Sequence, residues 1–183
     1  MKIIKFILVI LFLFFSVNLP VRASRNTDSY DGNIFPIYAG NGSIVPPQTT
    51  LRDSIKNKRL SILFFYLDDS SASKAMAPII SGLDLIWRND IDIIALTTDE
   101  IQSLPKSDPN EPSYYWNGLI PQTLVLDENG VIRFNQSGLI NIDEVNKIIS
   151  EIKGLENDKT SFSIESFNEY NSRISENKVS VKD

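Results

Sequence analysis

The stretch LSILFFYLDDSSASKAMAP, Leu60 to Pro78, decides the fold. Apart from Ser61 its first eight residues are apolar, as in a short strand buried on both faces of a sheet. Two aspartates and two serines follow. Then Ala75, Met76, Ile79, Ile80, Leu83, Ile86 and Trp87 recur at helical spacing. A second apolar run, Ile91 to Thr97, comes next. Strand, helix and strand at this spacing form a βαβ unit, so the two strands should run parallel with a right-handed crossover.

Downstream, residues 102–118 read as a long loop with Pro105, Pro109 and Pro112, ending in Tyr114, Tyr115 and Trp116. Runs at 122–127 and 131–136 then flank Glu128-Asn129-Gly130, whose Asn-Gly pair signals a hairpin. Asn141 reads as the N-cap of a last helix, with Glu144 at the reciprocal position of a capping box. Ile142, Val145, Ile148, Ile149 and Ile152 are its buried stripe. Upstream, residues 50–58 read as a short helix capped by Thr50, with Asp53 three residues on. Residues 50–156 are thus one α/β domain, a central mixed sheet flanked by helices. Residues 24–49 form a mostly irregular N-terminal arm, whose Ile34-Phe35-Pro36-Ile37-Tyr38 patch is expected to pack on the domain. Residues 157–183 are a polar C-terminal extension, in which Phe162, Phe167, Tyr170 and Ile174 could line a short helix before a disordered end.

The first 23 residues read as a secretory leader. Lys2 and Lys5 precede the apolar run Phe6 to Phe15, and Val21-Arg22-Ala23 offers small residues for cleavage after Ala23. An uncleaved N-terminal anchor is the alternative. Cleavage would leave 160 residues carrying 15 basic and 23 acidic side chains, a net charge of −8. Such an acidic chain is a poor nucleic-acid binder, because phosphate binding needs a basic patch. Cysteine and histidine are both absent. Their absence excludes disulfides, zinc sites of the Cys/His kind and any catalysis that relies on a histidine base.

The segment Phe65 to Pro78 resembles the active-site segment of the thioredoxin superfamily, which runs from an aromatic strand end through Cys-x-x-Cys-Lys to a helix proline. Lys74 and Pro78 fall in register with the family's lysine and proline, and the two cysteine positions land on Ser70 and Ser73. Leu119-Ile120-Pro121-Gln122-Thr123 is similar to the family's cis-proline loop. The resemblance implies that Ile120, Pro121 and Gln122 form a peptide-binding loop facing the degenerate motif. Pro121 is the site expected for a cis bond.

Thiol exchange needs an acidified thiolate and a second thiol, and a serine hydroxyl supplies neither. Redox activity is therefore excluded. Ser70 and Ser73 are expected to cap the helix. Ser71-Ala72-Ser73-Lys74 has the Ser-x-x-Lys spacing of some serine hydrolases, but the accompanying motifs are missing. Asp68 and Asp69 read as solvated or helix N-terminal charges rather than metal ligands. Asp127, Asn129 and Gly130 match a calcium loop only in part, and a hairpin turn explains them better. No metal or cofactor is expected. Tyr114, Tyr115 and Trp116 have two readings, a partner surface or a cover for the core edge.

Four segments resemble a narrower group, the cyanobacterial thylakoid-membrane photosystem I accumulation factors. They are residues 37–43 with Val45-Pro46-Pro47, residues 65–70, Glu111-Pro112 with Tyr114-Tyr115 through Gly118 to Thr123, and residues 166–171. This resemblance implies a non-enzymatic accessory protein that supports photosystem I assembly by binding its subunits or intermediates. The alternative is a general holdase for exported polypeptides. The implied location is the thylakoid lumen or the thylakoid membrane surface by peripheral association, with the periplasm as alternative.

Overall fold

The computed structural model describes residues 24–155. The expectations for the leader at 1–23 and the C-terminal extension at 157–183 lie outside the described residues. Four strands form one sheet in the order β2-β1-β3-β4. They are β1 (Leu60–Tyr66), β2 (Ile91–Thr97), β3 (Gln122–Leu126) and β4 (Ile132–Ser137). The helices are α1 (Leu51–Lys56), α2 (Ser71–Trp87), the single turn α3 (Thr98–Ile101) and α4 (Ile142–Ile152). β1 pairs with β2 in parallel, while β3 is antiparallel to both β1 and β4. A parallel crossover followed by an antiparallel hairpin, with a cis proline at the start of β3, is the thioredoxin-like arrangement.

Every residue of β1 is buried, as its sequence, apolar apart from Ser61, requires of a central strand. Strand alternation divides its side chains between two cores. Ile62, Phe64 and Tyr66 join Met76, Ile80, Leu83, Val145 and Ile149 on the α2/α4 face. Leu63 and Phe65 join Leu51, Ile101 and Tyr115 on the α1/α3 face.

The N-terminal arm is more ordered than its composition suggests. Phe35–Ala39 makes a π-helical turn, and Ile34 and Phe35 are fully buried. The Phe35 ring meets Phe64 at 6.0 Å and Tyr66 at 5.5 Å, both edge-on. The arm therefore belongs to the domain core. Ile37, by contrast, is largely exposed. A second cis bond, Val45–Pro46, lies in this arm.

Two helix ends differ from the sequence expectation. Thr50 caps α1 by accepting from the Asp53 N–H, and α1 stops at Lys56, two residues short of the expected end. Asn141 caps α4 through the Asp143 N–H, so the capping box expected with Glu144 is replaced by a single bond. At the N-cap of α3 the Thr97 N–H donates to the Glu100 carboxylate at 2.9 Å. The hairpin turn is longer than an Asn-Gly pair alone would give. Gly130 donates to the Asp127 carbonyl and takes a φ of 75°, while the Asp127 carboxylate accepts from the Asn129 and Val131 N–H groups. This is the three-residue form, a turn followed by a left-handed glycine.

Candidate functional site

Ser70 and Ser73 stand where α2 begins. Ser70 is the N-cap, its hydroxyl oxygen accepting from the Ser73 N–H at 3.3 Å. Ser73 is fully buried and does a different job from the expected capping: its oxygen accepts from the Leu67 N–H at 3.3 Å, fastening the loop that leaves β1. Both hydroxyls are thus engaged by backbone. Pro78 cannot donate to the Lys74 carbonyl four residues back.

Lys74 is fully buried, and its surroundings are the main feature that the sequence reading missed. Its Nζ is 2.6 Å from the Asp31 carboxylate and donates to the carbonyls of Thr27 at 3.0 Å, Ser24 at 3.3 Å and Ser29. The Tyr38 ring lies beneath the ammonium, 5.5 Å away, and the Tyr38 hydroxyl donates to the same Asp31 oxygen at 2.6 Å. Asp28 accepts from the Ser71 N–H at 2.8 Å, meeting the positive end of α2. Asp68 accepts from the Ile34 N–H at 3.0 Å. Residues 24–34 therefore form a strap across the start of α2, held by three carboxylates and one buried lysine.

The charges respond accordingly. The Lys74 bond, then the Tyr38 hydroxyl, holds the Asp31 carboxyl down at about 2. Burial works against the Lys74 ammonium, but Asp31 and Tyr38 outweigh it and raise its pKa. The Ser71 N–H lowers the Asp28 carboxyl. Burial raises Asp68, with Asp69 and Glu100 adding to the effect. No bond joins Lys74 Nζ to Ser71, so the Ser-x-x-Lys spacing makes no nucleophile and base pair here. A sequence signal for the strap did exist. Lys74 falls on the buried stripe of α2, three residues before Ala77, where a lysine demands a carboxylate partner.

The Ile120–Pro121 bond is cis. Phe65 pairs with Gln122, which sets Pro121 beside the end of β1, from which the 67–70 loop leads to α2. Of the three residues expected to bind peptide, Pro121 and Gln122 are buried and Ile120 is half-buried. Gln122 is a structural hub: its amide donates to the Tyr115 carbonyl and Asn135, and accepts from the Asn117 N–H. The exposed apolar side chain in this loop is Leu119, at 59%.

The aromatic trio divides. Tyr115 covers the core edge, its ring buried and its hydroxyl donating to the Pro109 carbonyl at 2.8 Å. Trp116 is half-buried under Lys106, which lies 4.8 Å above its ring. Tyr114 is exposed at 48%. Loops 117–121 and 137–139 run side by side, joined by Asn117 to Ser137 and by the Gly138 N–H to the Pro121 carbonyl. Leu119 and Leu139, both largely exposed, stand on these joined loops. Two clefts of about 560 Å³ lie along β2 instead; neither is lined by Ser70 or Pro121.

A protein of Synechocystis sp. described as thylakoid membrane protein slr1796 is 36% identical over 154 residues, spanning 83% of this chain and 77% of that protein. The chain belongs to the family of that thylakoid membrane protein. No family model matches it. A mutant thioredoxin of Halobacterium salinarum NRC-1 aligns at 20% identity with a TM-score of 0.46, over 58% of this chain and 85% of that one. This thylakoid protein relative has, among the described residues, no helix long and apolar enough to cross a membrane.

Proposed function

We propose that this member of the thylakoid membrane protein family is a redox-inactive accessory protein that supports photosystem I assembly by binding one of its subunits or intermediates. The observation that carries the reading is the state of the degenerate motif. Ser70 and Ser73 oxygens are taken up by backbone, and Lys74 is sealed under the strap. These engagements favour a binding role over a chemical one at that position. Exposed apolar side chains remain on the neighbouring loops, at Tyr114, Leu119 and Leu139. Exposed aromatic and aliphatic groups on rigid, cross-bonded loops are what a binding surface needs. The half-buried Ile120 lies between Leu119 and the cis proline, where an extended client segment could pair with backbone.

The choice of photosystem I rests on the sequence resemblance together with the thylakoid relative. Deleting the gene and measuring photosystem I per chlorophyll tests it, and a clear fall is expected under normal or stress light. An unchanged ratio in both conditions contradicts the proposal. Capture of many unrelated exported polypeptides by the purified protein would favour the holdase reading instead.

A further inference from the structure

Ser24 is the residue that follows the expected cleavage position. Ser24 already takes part in the latch: its carbonyl accepts from Lys74 Nζ at 3.3 Å and from the Thr27 hydroxyl at 3.1 Å. Lys74 Nζ is in turn 2.6 Å from Asp31. Lys74 Nζ thus bridges Ser24 and the Asp31 carboxylate, which places the Ser24 backbone in the neighbourhood of that carboxylate.

In the uncut chain the Ser24 backbone nitrogen is an amide with one proton and no charge. Hydrolysis of the Ala23–Ser24 bond by a signal peptidase adds water across it. The carboxylate leaves on Ala23, and the ammonium stays on Ser24. The titratable groups of the latch that the new ammonium joins are Asp28 and Asp31 on the strap, Tyr38 on the π-helical turn and Lys74 on α2. Before cleavage two carboxylates face one cation; afterwards two face two.

We propose that cleavage after Ala23 completes the latch, the new Ser24 α-ammonium pairing with Asp31 beside Lys74 to seal the strap over the start of α2. Processing then does more than remove a leader. It closes the degenerate motif, and an uncut or differently trimmed chain holds the strap less firmly. A charge-assisted bond is about twice as strong as the neutral one it replaces. This inference stands apart from the identity of any partner.

The test compares the mature chain starting at Ser24 with the same chain acetylated on its α-amine. Amide exchange is followed over Thr27 to Asp31, and the α-amine is titrated by NMR. The free form should titrate above the ordinary α-amino value of about 8. Acetylation should speed exchange across the strap by about tenfold. In Asp31→Asn the difference between free and acetylated chains should vanish. An α-amine titrating at its ordinary value, with equal exchange in both forms, overturns the proposal. So does a mature protein from thylakoids that starts at a residue other than Ser24. The titration needs no substitution, so it decides the matter even if Asp31→Asn fails to fold.

Discussion

Phe35→Ala is expected to cost about 3–5 kcal/mol of folding stability, as much as deleting a phenylalanine from the middle of a core. The residue sits in what the sequence marks as a loose arm, yet it is fully buried. Its ring lies edge-on to both Phe64 and Tyr66, and those two stack on each other at 5.5 Å. Truncation would leave a cavity against two strand residues that cannot move without disturbing β1. Urea denaturation of the mature chain measures the loss. Tyr30→Ala, at a residue 73% exposed in the same arm, is the control and should change stability by less than about 0.5 kcal/mol. If the two substitutions cost the same small amount, the arm is not part of the core.

Asp31→Asn should have the largest effect on the strap itself. It removes the counter-charge of a lysine that is shielded from water, and it weakens the acceptor of the Tyr38 hydroxyl. An ammonium without a counter-charge regains water only if the strap lifts. Exchange over Thr27 to Asp31 should rise at least about tenfold, while amides of β1 stay within a few-fold of the parent. Unchanged exchange in the strap would sink this account of the latch.

The pH dependence follows from the same contacts. Asp31 is held at about 2 in the folded chain, against about 3.9 unfolded. Its contribution is complete above about pH 4 and fades as pH falls through its folded value. Asp28 is shifted the same way by the Ser71 N–H. Asp68 works in the opposite direction: burial raises it, so taking up a proton favours the folded state. Lys74 is raised despite its burial, so its contribution is lost only as pH climbs beyond about 10.4. The latch should be indifferent to pH between about 5 and 8 and should open in strong acid. A strap that opened near pH 6 would contradict these assignments.

The domain was readable because its signals are local. The apolar run of β1, the helical spacing of α2 and the alternation around Asn129-Gly130 each name an element without knowing the others. The cis proline at 121 and the N-cap role of Ser70 were readable for the same reason. The strap was not, because its bonds span 43 to 50 residues, from Ser24 and Asp31 to Lys74. Nothing in a polar, glycine-bearing stretch announces a partner that distant. The buried register of Lys74 was the single hint, and matching it to Asp31 rather than another carboxylate needs the fold. The division of the aromatic trio was not legible for a related reason. Three adjacent rings look alike in sequence, but their burial depends on the path of the 105–116 loop. That path is tied down by Arg52 to Asp108 and Glu111 and by the Ser113 hydroxyl donating to the Pro105 carbonyl.

The absent cysteine pair takes on a sharper meaning in this structure. Ser73 and Lys74 are buried beside the chain's own strap, and under the proposed function a client is met by the loops beside Pro121. A photoreactive side chain at Leu119 in the mature protein, activated in isolated thylakoids, tests this most directly. Leu85, 58% exposed on α2, serves as the control position. The account predicts discrete cross-links from Leu119 to photosystem I subunits and none of these from Leu85. The same diffuse pattern from both positions would contradict it.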